Sequence, residues 1–201
     1  MVDLGTGDGR AAVARARREP AAFVVGLDAS SSAMAEASLR AARPAPKGGL
    51  SNLLFAVASA EQPPDELRGQ IDEITILFPW GSLLRGALAT DPAAAAGIAS
   101  LVAPGGVVRI LLSVTDRDAA AADLRPLAAG DADAIRRRWS AFGFAVTRFA
   151  PATADEIAAS GSTWARRLLR GRGEADRPVW SLELRCSDGG ARRSARSRHP
   201  V

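Results

Sequence analysis

The stretch Val2-Asp3-Leu4-Gly5-Thr6-Gly7-Asp8-Gly9 reads as the end of a β-strand, a glycine-rich turn and the start of a helix. Glycines lack a Cβ and tolerate positive φ, so a Gly-x-Gly-x-Gly turn lets the backbone pass close to a bound ligand. Strand and helix signals then alternate along most of the chain, which predicts an α/β fold with a mostly parallel, seven-stranded sheet covered by helices. Strands are expected near 1–4, 23–28, 53–58, 71–78, 107–113, 144–149 and 179–185. Helices are expected over 10–19, 31–42, 82–89, 92–102 and 131–142, with Asp91-Pro92 a cap and first-turn pair. A central strand usually has about four to six residues. Only Met1 and Val2 precede Asp3, so the first strand reads as truncated, the pattern a start codon assigned too far downstream would give.

The chain of 201 residues, 47% of them hydrophobic, suits one domain with a substantial core. Its formal charge of +4 resides mostly in the tail 187–201, where Arg192, Arg193, Arg196 and Arg198 face only Asp188. This Arg/Ser/Gly-rich tail is expected to be disordered. In the body, arginines cluster at 136–138 and at Arg166, Arg167, Arg170 and Arg172, so a polyanion would be met by local patches rather than a global field. Lys47 is the only lysine; the choice of arginine, like the abundance of alanine, fits a GC-rich genome. A lone cysteine, Cys186, excludes a disulfide framework, and a lone histidine, His199, argues against metal and histidine-base chemistry. No apolar run approaches the roughly 20 residues of a membrane span, and no signal peptide is evident, so the cytoplasm is the expected compartment.

Asp3, immediately before the glycine turn, would attract a cationic amino-acid group and repel a pyrophosphate. The third glycine stands one residue too early for a dinucleotide fingerprint, where Arg10 occupies the usual place. Both observations favour S-adenosyl-L-methionine over NAD, with Gly5 and Gly7 lining the donor. Asp28, 19 residues after Gly9, has the spacing of a carboxylate that accepts hydrogen bonds from both ribose hydroxyls. The plain alternative makes Asp3 and Asp28 helix caps. After the third strand, Ala60 through its backbone and Glu61 through its side chain are candidates to hold the donor's adenine; an ordinary loop is the alternative.

The strand 71–78 ends in Phe78-Pro79-Trp80-Gly81-Ser82-Leu83-Leu84-Arg85, where a sheet's ligand crevice should lie. Trp80 is either a core indole or, with Pro79 before it and Gly81-Ser82 after it, an aromatic platform. Stacking a base on such a face is worth about 1–3 kcal/mol. Ser162-Thr163-Trp164-Ala165-Arg166-Arg167 offers a second aromatic face beside phosphate-binding arginines, or else an amphipathic helix with Trp164 packed inward. Trp139 and Trp180 read as core. Two long excursions, 113–130 and 151–173, flank the sixth strand, and 43–50 joins a helix to a strand through turn residues.

Five blocks together, Asp3-Leu-Gly-Thr-Gly-Asp-Gly9, Gly26-Leu-Asp-Ala29, Lys47-Gly-Gly-Leu50 with Asn52-Leu-Leu54, Phe78 to Gly86 and Ser162 to Leu168, resemble the aminoglycoside-resistance 16S rRNA (adenine-1408-N1)-methyltransferases, in particular the kanamycin–apramycin resistance methylases. The resemblance spans roughly 2–184; its Pro-Trp-Gly-Ser-Leu-Leu and Ser-Thr-Trp blocks are specific to that group. It implies a class I, Rossmann-like methyltransferase domain over 1–186, S-adenosylmethionine as donor, and the assembled 30S subunit as substrate for a monomer that needs no metal. It further implies that Trp80 and Trp164 sandwich a flipped adenine, that Ser162 supports Trp164, and that Pro79 offers its carbonyl to the exocyclic amine. Arg166, Arg167, Arg170 and Arg172 would grip rRNA phosphates, with Arg43 and Lys47 contributing from another side. A short N-terminal hairpin would precede the glycine loop.

Adenine N1 has a lone pair and no proton at neutral pH, so catalysis there needs positioning rather than a general base. Two other readings stay open on the sequence: a class I methyltransferase acting on tRNA or a small molecule, and a non-catalytic RNA-binding relic.

Overall fold

The computed structural model describes residues 1–114, 124–169 and 178–187. Arg170, Arg172, His199 and the tail from Asp188 onward therefore lie outside the described residues. Seven strands form one sheet: β1 (Val2–Leu4), β2 (Val24–Asp28), β3 (Leu53–Val57), β4 (Ile71–Leu77), β5 (Val102–Leu112), β6 (Phe144–Pro151) and β7 (Trp180–Cys186), in the order β3-β2-β1-β4-β5-β7-β6. Strands β1 to β5 pair in parallel, and β7 inserts antiparallel between β5 and β6. This is the Rossmann-like class I arrangement expected from the sequence.

The helices described are α1 (Arg10–Arg18), α2 (Ser31–Ala41), α3 (Gly81–Ala87), α4 (Pro92–Leu101), α5 (Ala132–Ser140), α6 (Ala154–Ala159) and α7 (Thr163–Leu169). Strand alternation sorts the two layers. Ile74, Ile76, Ile110 and Leu112 face one side, where they pack with Leu84 of α3, Ile98 of α4 and Ile135 of α5. The other side carries a cluster around Ala12, Ala16, Val24 and Leu53 under α1 and α2, and a second around Leu111, Ile157 and Ala165 under α6 and α7. Trp139 is completely buried, donates its indole N–H to the Ala87 carbonyl at 3.0 Å and meets Phe142 and Phe144 edge-on. Trp180, also buried, stacks on Phe149 with ring centroids 4.7 Å apart. Both are core indoles, as the sequence suggested.

Two differences from the sequence reading have local causes. Strand β5 starts at Val102 rather than 107, because Val102 pairs with Ile71 before a register shift that reaches Glu73 and Val107. Gly105, at φ 74°, absorbs that irregularity, so Pro104-Gly105-Gly106 bends a strand rather than ending it. The excursion after β6 holds two short helices. The first is opened by a capping box in which Thr153 accepts from the Glu156 N–H and Glu156 accepts from the Thr153 N–H.

Candidate functional site

The carboxyl ends of the parallel strands meet along one edge, and the order reverses direction between β1 and β4, where a crevice opens in such sheets. A cavity of about 850 Å³ lies there. The turn after β1 lines it with Gly5, Thr6, Gly7 and Asp8, β2 with Asp28, the loop after β3 with Ser59, Ala60 and Glu61, and the end of β4 with Phe78, Pro79 and Trp80. Ser162, Thr163, Trp164 and Arg167 close it from α7 and the residue before it. Segments scattered over 160 positions are thus brought together by topology alone.

The glycine turn is held by its own backbone and by Asp28. Gly5, Gly7 and Gly9 have φ of 75°, 55° and 71°. Gly5 N–H and Thr6 N–H both donate to the Leu27 carbonyl, at 2.8 and 2.9 Å. Asp28 accepts from Gly7 N–H through Oδ2 and from Ser30 N–H through Oδ1, each at 2.8 Å. Ser30, not Asp28, caps α2. A Cβ on Gly7 would meet nothing within 4 Å, whereas one on Gly5 would strike Leu83 of α3 at 2.4 Å. Gly7 therefore borders open space in which a ligand can lie against bare backbone, and Gly5 lets the Trp80 segment close on the turn.

Asp3 is only 4% exposed. Its Oδ2 accepts from the Thr6 hydroxyl at 2.7 Å and its Oδ1 from the Thr75 hydroxyl at 3.1 Å. Burial raises its pKa above the ordinary 3.8, and the two hydroxyls offset only part of that. Ionised Asp3 thus subtracts stability at neutral pH, and stability returns as pH falls through the raised folded pKa. Asp3→Asn keeps the shape, and a threonine hydroxyl can rotate to accept from the new amide. The free variant is expected to melt higher than the wild type at neutral pH, with the gain fading in acid. Calorimetric scans across pH read this; a lower melting point at neutral pH would refute it.

Glu61 has its carboxyl held below the usual range, first by the Ser82 hydroxyl and with smaller help from Ser59 and Arg85. Ala60 is buried against α4, where a Cβ on Gly97 would stand 1.7 Å from the Ala60 carbonyl oxygen. The cavity wall is therefore acidic inside, with Asp3, Asp8, Asp28 and Glu61, and Arg167 lies on the α7 side. Such a wall suits a cationic donor and opposes a pyrophosphate. The residues present thus fit S-adenosylmethionine.

Trp80 is 85% exposed, between buried Pro79 and Gly81 at φ 58°. Phe78 has φ 53°, a rare conformation for a bulky residue, and this sharp turn throws Trp80 outward from the strand end. The core reading of Trp80 is thereby excluded. Trp164 is half-buried and stacks on Phe78, with centroids 6.0 Å apart and planes 19° from parallel. Ala165, not Trp164, is the fully buried residue of α7, and Arg166 and Arg167 are exposed. Ser162 Oγ accepts from the Trp164 N–H at 3.2 Å.

Arg43 and Lys47 are exposed, but they do not line the cavity. They follow α2 and precede β3, as does Asn52, which donates to the carbonyls of Ala16 and Glu19 at the end of α1 and of Ala22 in the turn before β2. This is the opposite edge of the sheet, one five-residue strand or roughly 17 Å away. Sequence reasoning missed Thr6, which bonds nearby Asp3, and Thr75, Phe78, Thr163 and Gly97, which act through partners distant in sequence.

A family model described as NpmA: 16S rRNA (adenine(1408)-N(1))-methyltransferase matches residues 1–181. A 16S rRNA (adenine(1408)-N(1))-methyltransferase of Streptoalloteichus hindustanus is 34% identical over 180 residues, covering 88% of this chain and 83% of its own. Among solved structures, the 16S rRNA methyltransferase KamB superposes with a TM-score of 0.81 at 33% identity, over 92% of this chain and 86% of KamB. A tryptophan-to-alanine mutant of the 16S rRNA (adenine(1408)-N(1))-methyltransferase from Catenulisporales acidiphilia, crystallised with cosubstrate SAM, also reaches 0.81 at 31% identity, over 100% of this chain and 87% of its own.

Proposed function

The chain belongs to the 16S rRNA (adenine(1408)-N(1))-methyltransferase family, and we propose from its cavity that it methylates N1 of adenine 1408 in the assembled 30S subunit, conferring resistance to kanamycin and apramycin. The observation that carries this reading is that Trp80 and Trp164 line the same cavity as the glycine turn and Asp28.

When bound, S-adenosylmethionine supplies an electrophilic methyl group on a sulfonium. Asp28, through lone pairs left over from Gly7 and Ser30, accepts from the ribose hydroxyls. Gly5 and Gly7 give the donor close passage, and Asp3 contributes negative charge near its amino group. Ala60 and Glu61 border the donor's adenine. Trp80 and Trp164 grip the extruded target base, which must leave its stack before a buried atom can be reached. Pro79 contributes a carbonyl to the base's exocyclic amine, and Ser162 anchors the backbone of Trp164.

Adenine N1 attacks with its own lone pair, so the residues of this chain remove no proton. The positive charge carried by the donor ends on the base, and the acidic wall faces a cation before and after. Rate then comes from alignment of two held groups.

Arg166 and Arg167 beside the cavity, with Arg170 and Arg172 following in sequence, meet rRNA phosphates near the target. Arg43 and Lys47 meet a second segment of rRNA at the other edge of the sheet. A footprint that wide favours a folded ribosomal surface over a free strand. The enzyme is proposed to act as a monomer, and attack by a lone pair calls for no metal. Among the described residues no helix is long and apolar enough to cross a membrane, and the proposed compartment is the cytoplasm, where the subunit resides.

Purified protein incubated with 30S subunits and methyl-labelled donor is expected to mark adenine 1408, read as a primer-extension stop because the methyl blocks the pairing edge. Absence of label there, or label on free tRNA in its place, would overturn the reading.

A further inference from the structure

Asp8 lies in the glycine turn between Gly7 and Gly9, both in the left-handed region. Its Oδ2 accepts a 2.6 Å hydrogen bond from the hydroxyl of Thr163, 155 residues away. That length falls within the range of hydroxyl bonds to an ionised carboxylate, which are stronger than neutral ones. Thr163 opens α7, and Trp164 follows it directly. The same Thr163 oxygen accepts from the Arg166 guanidinium at 3.2 Å, and Arg10, the first residue of α1, approaches Asp8 at 3.5 Å. A short polar chain therefore runs from the turn that would hold the donor to the helix that carries Trp164, Arg166 and Arg167.

Trp164 also stacks on Phe78 and has its N–H held by Ser162, while the underside of α7 makes apolar contact. The described part of the helix runs over Thr163–Leu169. Its buried side rests through Ala165, with Leu168 alongside, on a small apolar cluster that includes Leu111 and Ile157. Apolar contact holds a helix down but discriminates poorly between neighbouring rotations and slides. The Asp8–Thr163 bond has one satisfactory geometry, and it ties α7 to the cofactor turn rather than to the sheet.

We propose that Asp8 and Thr163 form a positioning latch that registers Trp164, and with it the target base, against the methyl donor. This rests on the reading of the cavity given above. Thr163 is a positioning residue: it acts through Trp164 and through Asp8.

Thr163→Val removes the hydroxyl and keeps the volume. On 30S subunits it is expected to lower kcat by about 10- to 100-fold, the scale of a misplacement near 1 Å, while donor affinity measured by calorimetry stays within about twofold. In the free protein, amide exchange over 163–169 should accelerate, a readout independent of methyl transfer. Thr163→Ser should restore both the rate and the protection. The double variant Asp8→Ala with Thr163→Val should be no slower than Asp8→Ala alone, because both changes break one bond. Wild-type kcat and wild-type exchange in Thr163→Val, or fully additive losses in the double variant, would overturn the latch. A wild type that leaves adenine 1408 unmarked would overturn the cavity reading itself, whereas an active wild type with an equally active Thr163→Val overturns the latch alone.

Discussion

Trp80→Ala and Trp164→Ala are each expected to lower methylation of 30S subunits by about 100-fold or more, enough to abolish resistance in cells. Loss of one stacked face removes about 1–3 kcal/mol of hold on the extruded base. Loss of alignment adds to this, because a base clamped on one side samples orientations that do not aim N1 at the methyl group. Donor affinity should barely change, since the side of the cavity proposed to hold the donor is lined by the glycine turn, Asp28 and the 59–61 loop. The two variants should differ in stability. Trp80 is 85% exposed, so its truncation should leave the melting temperature within about 1–2 °C, as for surface changes of about 0.5 kcal/mol. Trp164 stacks on Phe78, a contact worth about 0.5–1.5 kcal/mol, so its truncation should cost about 2–4 °C. Thermal melts, donor calorimetry and labelled methyl transfer on the same preparations separate these effects. A large loss of donor affinity in both variants would show that the indoles serve the fold instead.

The sequence carried the frame of this molecule because its signals are local. Alternating runs announced the seven strands, Asp91-Pro92 announced α4, and the spacing from Gly9 to Asp28 placed a carboxylate at the end of β2. Of the two short helices after β6, the first escaped because six residues give too little periodicity, while the second was legible only as one of two readings of 162–167. For the first, Thr153-x-x-Glu156 was the one available sign, and it forms a capping box. The polar supports of the site escaped for a different reason. Thr75 reaches Asp3 across adjacent strands, Thr163 reaches Asp8 from the far end of the chain, and Gly97 matters only because the Ala60 carbonyl lies against it. Each is an ordinary residue until the fold supplies its partner. Arg43 and Lys47 illustrate the converse. Their basic character was legible, but only the path of α2 back along the sheet puts them at the edge away from the cavity.

Asp28→Ala is expected to weaken donor binding by about 100-fold or more, since hydrogen bonds to a charged group contribute about 1.5–3 kcal/mol each. Two such bonds go to the ribose in the proposed complex, and two more already exist in the free protein, to Gly7 N–H and Ser30 N–H at 2.8 Å. The second pair makes the conservative change nearly as harmful. Asparagine has one acceptor oxygen, so in Asp28→Asn one of the two backbone donors faces an amide N–H₂ and is left unsatisfied. The turn must then shift to find another partner, and Gly7 leaves the position from which its bare backbone borders the donor. Asp28→Asn should therefore resemble Asp28→Ala in donor affinity, rather than fall midway as loss of charge alone would predict. Calorimetric titration of both variants with S-adenosylmethionine decides this. Near-wild-type binding by Asp28→Asn would mean that the carboxylate acts by its charge and that the clamp on Gly7 is dispensable.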